Sequence, residues 1–195
     1  MATSAAQVKE LRDRTGIGMM KCKEALQATD GDLDKAVEYL RKQGLAAAEK
    51  KAGRETSEGY IGSYIHSNGK IGVLVEVKCE TDFVARNDDF RALCRDLCMQ
   101  VAAARPQWVS RDDVPEDVLE KEREIYRVQF KDKPPQAIDK IVEGKLRSFY
   151  EEHCLLDQKF VKDPKTSIAD LLKSLVAKLG ENLAIGRFVR LEIGD

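Results

Sequence analysis

The stretch "YIGSYIHSNGKIGVLVEVKC", Tyr60 to Cys79, constrains the chain more than any other. Two runs rich in β-branched and aromatic residues flank a turn that contains Asn68 and Gly69, so the segment reads as a β-hairpin pairing Tyr60–His66 with Ile71–Cys79. A lone hairpin is at best marginally stable in water and needs a partner element. The next periodic stretch supplies one. A helix opening at Asn87 or Asp88 and running to about Ala104 places Phe90, Leu93, Leu97 and Val101 on one stripe, and it is expected to lie across the hairpin.

Upstream, the pattern is helical and short-ranged. Ser4 caps a helix from Ala5 to about Arg14, with Val8 and Leu11 on one face, and "TGIG", Thr15 to Gly18, breaks it. A second helix, Met19–Ala28, carries Cys22, Ala25 and Leu26 and ends in "TDGD", whose last residue, Asp32, caps a third. Leu33, Ala36, Val37 and Leu40 give that third helix its buried stripe, and Gly44 is expected to close it. Residues 1–45 therefore read as a small helical domain. The charged run "AAAEKKAGRETSEG", 46–59, reads as a linker that continues in part as exposed helix. The remainder, 60–195, is the core. Within it "VPEDVLEKEREIYRVQF" and "PPQAIDKIVEGKLRSFYEE", separated by "KDKPP", form a projecting helical hairpin over about 115–150. Thr166 or Ser167 then caps a helix that Gly180 stops, and "LAIGRFVRLEI" alternates Leu183, Ile185, Val189, Leu191 and Ile193 along one strand face. The expected fold class is α+β: an N-terminal three-helix domain followed by an α+β core with a small antiparallel sheet and a helical hairpin.

Composition narrows the function. With 33 basic and 34 acidic residues the net charge is −1, which argues against a chain whose main work is neutralising nucleic-acid phosphates. No aromatic platform interleaves with basic residues, so no direct nucleic-acid partner is expected. No run approaches the roughly 18 apolar residues of a membrane span. The first twenty residues contain acids and no long apolar core, unlike a secretory or transit segment. Five scattered cysteines read as reduced thiols of a cytoplasmic protein.

Candidate catalytic groups are sparse. His66 and His153 lie outside any HExxH, CxxC or GxSxG pattern. Cys94 and Cys98 stand at i, i+4, a spacing that either ligates a metal or marks small residues packed on a sheet. "TGIG" lacks the strand and pattern of a phosphate cradle, and Cys79 beside Glu80 lacks an evident base for thiol chemistry. No catalytic residue, metal or cofactor is expected. Two features resist a purely structural reading. Met19 and Met20 are helix neighbours pointing about 100° apart; either one of them is exposed and docks a partner, or both are partly buried at a helix start. Phe83 follows Thr81 and Asp82 at a polar corner, where a large ring is either a core plug or an interface anchor.

These residues carry a resemblance. "LRDRTGIGMMKCKEAL" (Leu11–Leu26) and "EVKCETDFVARN" (Glu76–Asn87), with "KIVEGKL" at Lys140–Leu146 and "GRFVRLEI" at Gly186–Ile193, resemble the translation elongation factor Ts family over nearly the whole chain. The resemblance implies a guanine-nucleotide exchange factor that binds elongation factor Tu and promotes GDP release by disturbing the Mg²⁺ and phosphate site, without covalent chemistry. It implies a ubiquitin-associated-like fold for the first three helices. It puts partner contact on Arg12, Met19, Met20, Thr81, Asp82, Phe83 and Val84, with Phe83 inserting between two helices of the GTPase. Lys21 and Lys78 depart from the family's usual acidic or small polar residues. One clear hairpin and a chain stopping at Asp195 resemble the short form, whose two chains associate through their sheets, so a homodimer is expected. An adaptor that binds proteins through the first three helices without affecting a nucleotide is the competing reading. The two part at Phe83, which only exchange requires.

Overall fold

The computed structural model describes residues 3–194. The chain opens with α1 (Ala5–Thr15), α2 (Met19–Ala28) and α3 (Leu33–Glu49). Each start has a physical cause. Ser4 and Gln7 form a capping box on α1, and the Asp32 carboxylate accepts the backbone N–H groups of Asp34 and Lys35 at the head of α3. The three helices close over Val8, Leu11, Cys22, Ala25, Leu26, Ala36 and Leu40, the apolar periodicity read from the sequence.

Gly44 does not end α3, which runs on to Glu49. A Cβ on Gly44 would lie 2.8 Å from the Cβ of Ala177. The glycine therefore permits a close approach to the helix that bears Ala177. Its helical backbone explains why the stop expected from a C-cap glycine is absent.

The hairpin is present, as β1 (Glu58–Ile65) and β2 (Ile71–Cys79), with β1 beginning inside the run expected to be linker. There follow α4 (Asp82–Ala85), α5 (Asp88–Ala104), α6 (Glu116–Gln129), α7 (Pro135–His153), β3 (Lys159–Phe160), β4 (Asp163–Ser167), α8 (Ile168–Leu179) and β5 (Leu183–Glu192). The main sheet has the order β1-β2-β5, and β3 pairs antiparallel with β4. The architecture is the expected α+β, with small antiparallel sheets. No helix among the described residues is long and apolar enough to cross a membrane.

The chain forms two compact units. One takes the sequence up to Tyr60, Val77–Arg91 and Asp170–Ala184; the other takes Ile61–Glu76, Ala92–Ala169 and the sequence from Ile185 on. In the second unit α5 lies on β1 as expected: a Cβ on Gly62 would sit 3.1 Å from Cys98 Sγ and 3.2 Å from Cys94 Cβ. Cys94 and Cys98 are thus small residues packed on a strand. α6 and α7 pack together around Leu119, Val142, Leu146 and Phe149. The β3–β4 pair was not legible in "KFVKDPKTS", which has little strand propensity. A buried amide network meets it: Gln100 Nε2 donates to Gln158 Oε1 and to the Lys159 carbonyl, and Gln100 Oε1 accepts the N–H of Val161.

Alternation along β5 also occurs, but its apolar residues point outward over most of the strand. Val189, Leu191 and, just past the strand, Ile193 are exposed. On the opposite side Arg190 donates to Glu192, which also pairs with Arg105.

The Gly44 contact yields a test. Gly44→Ala raises helix propensity by about 1 kcal/mol, whereas overpacking costs roughly 1–3 kcal/mol. Net destabilisation is expected in urea unfolding, and adding Ala177→Gly should relieve it. A Gly44→Ala chain more stable than the native one would show that the contact is not tight.

Candidate partner-binding site

The first signature segment and all of the second but Glu76 lie in the same unit. The first is built around the turn between α1 and α2. Gly16 adopts φ 67°, in the left-handed region, and its N–H donates to the Arg12 carbonyl at 2.7 Å. Thr15 Oγ1 donates to the Leu11 carbonyl and accepts from Ile17 N, and the Cys22 thiol donates to the Ile17 carbonyl. Lys178 of α8 runs over the turn. A Cβ on Gly16 would lie 2.7 Å from its Cε, and its Nζ pairs with Asp89 at 2.7 Å. With the turn fixed, α2 starts at Met19, turns Cys22, Ala25 and Leu26 inward and leaves Met19 and Met20 outside. They are 50% and 71% exposed, so both methionines face solvent, where the sequence allowed one exposed or two partly buried. Arg12 is exposed on α1.

The second signature is a corner at the end of β2. Thr81 is extended and caps α4, its Oγ1 accepting from Val84 N at 3.5 Å. Asp82 opens the turn and pairs with Arg86 at 2.8 Å. Val84 and Ala85 are buried, which leaves Phe83 to point away, 82% exposed. A ring that exposed is not a core plug.

The corner is held from the α8–β5 turn. Glu181 Oε2 accepts the backbone N–H groups of Glu80 and Thr81 at 3.2 and 3.0 Å, and its Oε1 accepts from Thr81 Oγ1 at 2.6 Å. In return Glu80 Oε1 accepts from Asn182 N at 2.6 Å, while Asn182 Nδ2 donates to the Arg54 carbonyl at 2.8 Å.

A family model described as "Elongation factor TS" matches residues 46–195. The elongation factor Ts of Fervidobacterium nodosum is 59% identical over 197 aligned residues that span 100% of both chains. That of Thermodesulfovibrio yellowstonii is 57% identical over 196, covering 100% of this chain and 98% of its own. That of Geobacter sulfurreducens is 55% identical, covering 100% and 91%. This chain belongs to the elongation factor Ts family. It is therefore a translation elongation factor, a nucleotide exchange factor for elongation factor Tu.

For an elongation factor Ts, the remaining chemistry-bearing residues have structural explanations. The His153 and Phe149 rings lie tilted at 49° with centroids 4.6 Å apart, and His66 Nδ1 lies 3.0 Å from Tyr64 Oη. No group of three or more metal-ligating side chains gathers among the described residues. All five cysteines are buried, and none forms a disulfide. Burial, then the nearby Glu181 carboxylate, pushes the Cys79 thiol up, and its Sγ–H donates to the Thr81 carbonyl at 3.1 Å, a bond that only the protonated thiol makes. Burial raises Cys98 and Cys154 to about 11. A thiol nucleophile needs the opposite shift. Sequence reading missed Glu80, Glu181 and Asn182, because Thr81 and Glu181 stand 100 positions apart and no local pattern joins them.

The thiol geometry sets an expectation. In the native chain at pH 8, iodoacetamide should label the cysteines at least tenfold more slowly than it labels a small thiol, since all five are buried. Unfolding in urea should release all five. Rapid labelling of native Cys79, followed by mass spectrometry, would restore the thiol reading.

Proposed function

We propose that this elongation factor Ts promotes GDP release from elongation factor Tu by docking through its first three helices and driving Phe83 into the GTPase beside its Mg²⁺ and phosphate site. The observation that carries the reading is the attitude of Phe83: a large apolar ring held outward on a capped, braced corner. Arg12, Met19 and Met20 supply the docking surface, where unbranched thioethers adapt to a partner. Asp82 contacts the GTPase beside the ring, while Thr81 and Val84 set the turn from below. A GTPase holds GDP through backbone amides around its phosphates and through Mg²⁺, so a wedge that displaces the metal and reshapes that loop removes much of the affinity. No acid, base or nucleophile takes part, because the factor need only bind the nucleotide-free state better than the loaded one. The site of action is the cytoplasm.

Release of a fluorescent GDP analogue from elongation factor Tu tests the reading. The native chain should accelerate release, and Phe83→Ala should remove most of that acceleration, roughly 30-fold for an anchor worth about 2 kcal/mol. Acceleration by Phe83→Ala equal to that of the native chain would move the adaptor reading ahead.

We also propose that the factor works as a homodimer joined through the face of the main sheet opposite α5. Six aliphatic side chains, Ile61, Ile65, Leu74, Val189, Leu191 and Ile193, are exposed on the strands and strand end that make this face. A soluble monomer rarely leaves so large an apolar patch open, and a two-fold axis would cover it with its own copy. Glu76 and Arg187, paired at 3.1 Å, give the patch a charged member. Sedimentation equilibrium at about 10 μM should find a dimer for the native chain and a monomer for Leu191→Glu, which buries an unpaired charge. A native monomer at that concentration overturns the proposal.

A further inference from the structure

Phe83 has a mechanical problem. Its helix, α4, has four residues. An isolated turn of that length has no stability of its own, since the first hydrogen-bonded turn fixes several residues for one bond. The ring is mostly in solvent and gains little from its own packing. Its direction is therefore set by whatever fixes the backbone before it.

The Glu181 carboxylate does that. It takes the N–H groups of Glu80 and Thr81, the two residues that lead into the turn, together with the Thr81 hydroxyl proton. A hydroxyl has one proton and two lone pairs. With the proton committed to Glu181, the lone pairs of Thr81 Oγ1 are left for the N–H of Val84, the residue after Phe83. Charge-assisted bonds of this kind are about twice as strong as neutral ones. The return bond from Asn182 N to Glu80, and the grip of Asn182 on the Arg54 carbonyl, stop the clamp from moving as a unit. Lys178, one turn earlier on α8, reaches the Gly16 turn that precedes Met19 and Met20. The segment Lys178–Asn182 thus touches the supports of both partner-facing motifs while contributing no exposed apolar group of its own.

We infer that Glu181 is a positioning residue for nucleotide exchange: through the backbone of Glu80 and Thr81 it holds Phe83 in the attitude needed for insertion, with Glu80 and Asn182 completing the clamp. The inference rests on the wedge reading above. Without Glu181 the factor still docks through Met19 and Met20, but the ring samples other directions and only a fraction of docked complexes is competent.

The test compares native, Glu181→Ala and Glu181→Gln chains. Two readouts are needed: GDP release at increasing factor concentration, and amide hydrogen exchange of the isolated chain across Glu80–Ala85. Glu181→Ala should lower the saturating release rate about tenfold, while the half-saturating concentration moves less than about threefold. Exchange should quicken at the corner and not in α6–α7. Glu181→Gln keeps an acceptor for the two N–H groups and can donate to Thr81 Oγ1, so it should recover most of the rate. Leu146→Ala, in the other unit, controls for general destabilisation: it should lower unfolding temperature without changing the saturating rate. Thr81→Val removes only the hydroxyl and should give the same pattern more weakly, which keeps the question decidable if Glu181→Ala does not fold. A Glu181→Ala chain with native saturating rate, or with native exchange at Glu80–Ala85, overturns the inference and leaves the wedge standing. A native chain that does not accelerate release removes the wedge reading and this inference with it.

Discussion

The central strand β2 is the constraint on which the rest depends. Its two-residue pleat sends Val73, Val75, Val77 and Cys79 inward on one side, all buried, and leaves the other side to Leu74 and Glu76. Because strand period admits no intermediate register, this choice decides two things together. It fixes which sheet face receives α5, and it fixes the direction in which the chain leaves Cys79 for the Thr81–Phe83 corner. A one-residue slip would turn the valines outward and rotate the departure by half a turn. The buried side is stabilised by burial of apolar surface at about 25 cal/mol per Å². The direction of Phe83 therefore begins with ordinary core packing, before any residue of the corner is considered.

Beyond the strand, two departures from a well-behaved surface remain: the exposed ring with its two methionines, and the aliphatic sheet face. Scattered apolar residues on a surface require no explanation, but clustered ones do. The sheet face is flanked by an exposed strand edge as well, which invites pairing with other chains unless it is managed. In the proposed dimer the second copy covers the face. Phe83 is different in kind: in the proposed mechanism its ring, on a braced turn, is covered only while the factor is docked on its GTPase.

How much of this was legible in the sequence follows from the range of the interactions. α2 was read to its limits, because its breaker and its apolar spacing are all within a turn or two of each other. The hairpin was read for the same reason, from Asn68-Gly69 between β-rich runs. Gly44 was misread because a glycine tolerated for close approach and one that ends a helix look alike until Ala177 is in place. The alternation in β5 was visible, but periodicity states that two faces differ and not which one is inside. In this case the polar pair Arg190 and Glu192 is the half-covered face. β3 and β4 were missed because their residues have little strand propensity and the Gln100 amide that bonds to Lys159 and Val161 comes from far outside the run. The candidate site shows the same division. Its exposed members could be named from motifs, whereas its supports come from the other end of the chain.

That division has a thermodynamic side. In the proposed mechanism, the coupling between factor and GDP is reciprocal, so any binding energy that weakens GDP is returned when nucleotide expels the factor. A larger wedge with more contacts would strengthen both the free and the loaded complex and gain nothing in exchange unless it distinguished them. Holding the wedge rigid acts differently. It lowers the ordering cost of the complex in which the ring is inserted, and leaves the complex held only by the docking helices unchanged. Rigidity therefore adds to the differential term alone. A half-buried carboxylate behind the corner is a suitable place for such a term, because its bonds to Glu80 and Thr81 are already formed in the free chain.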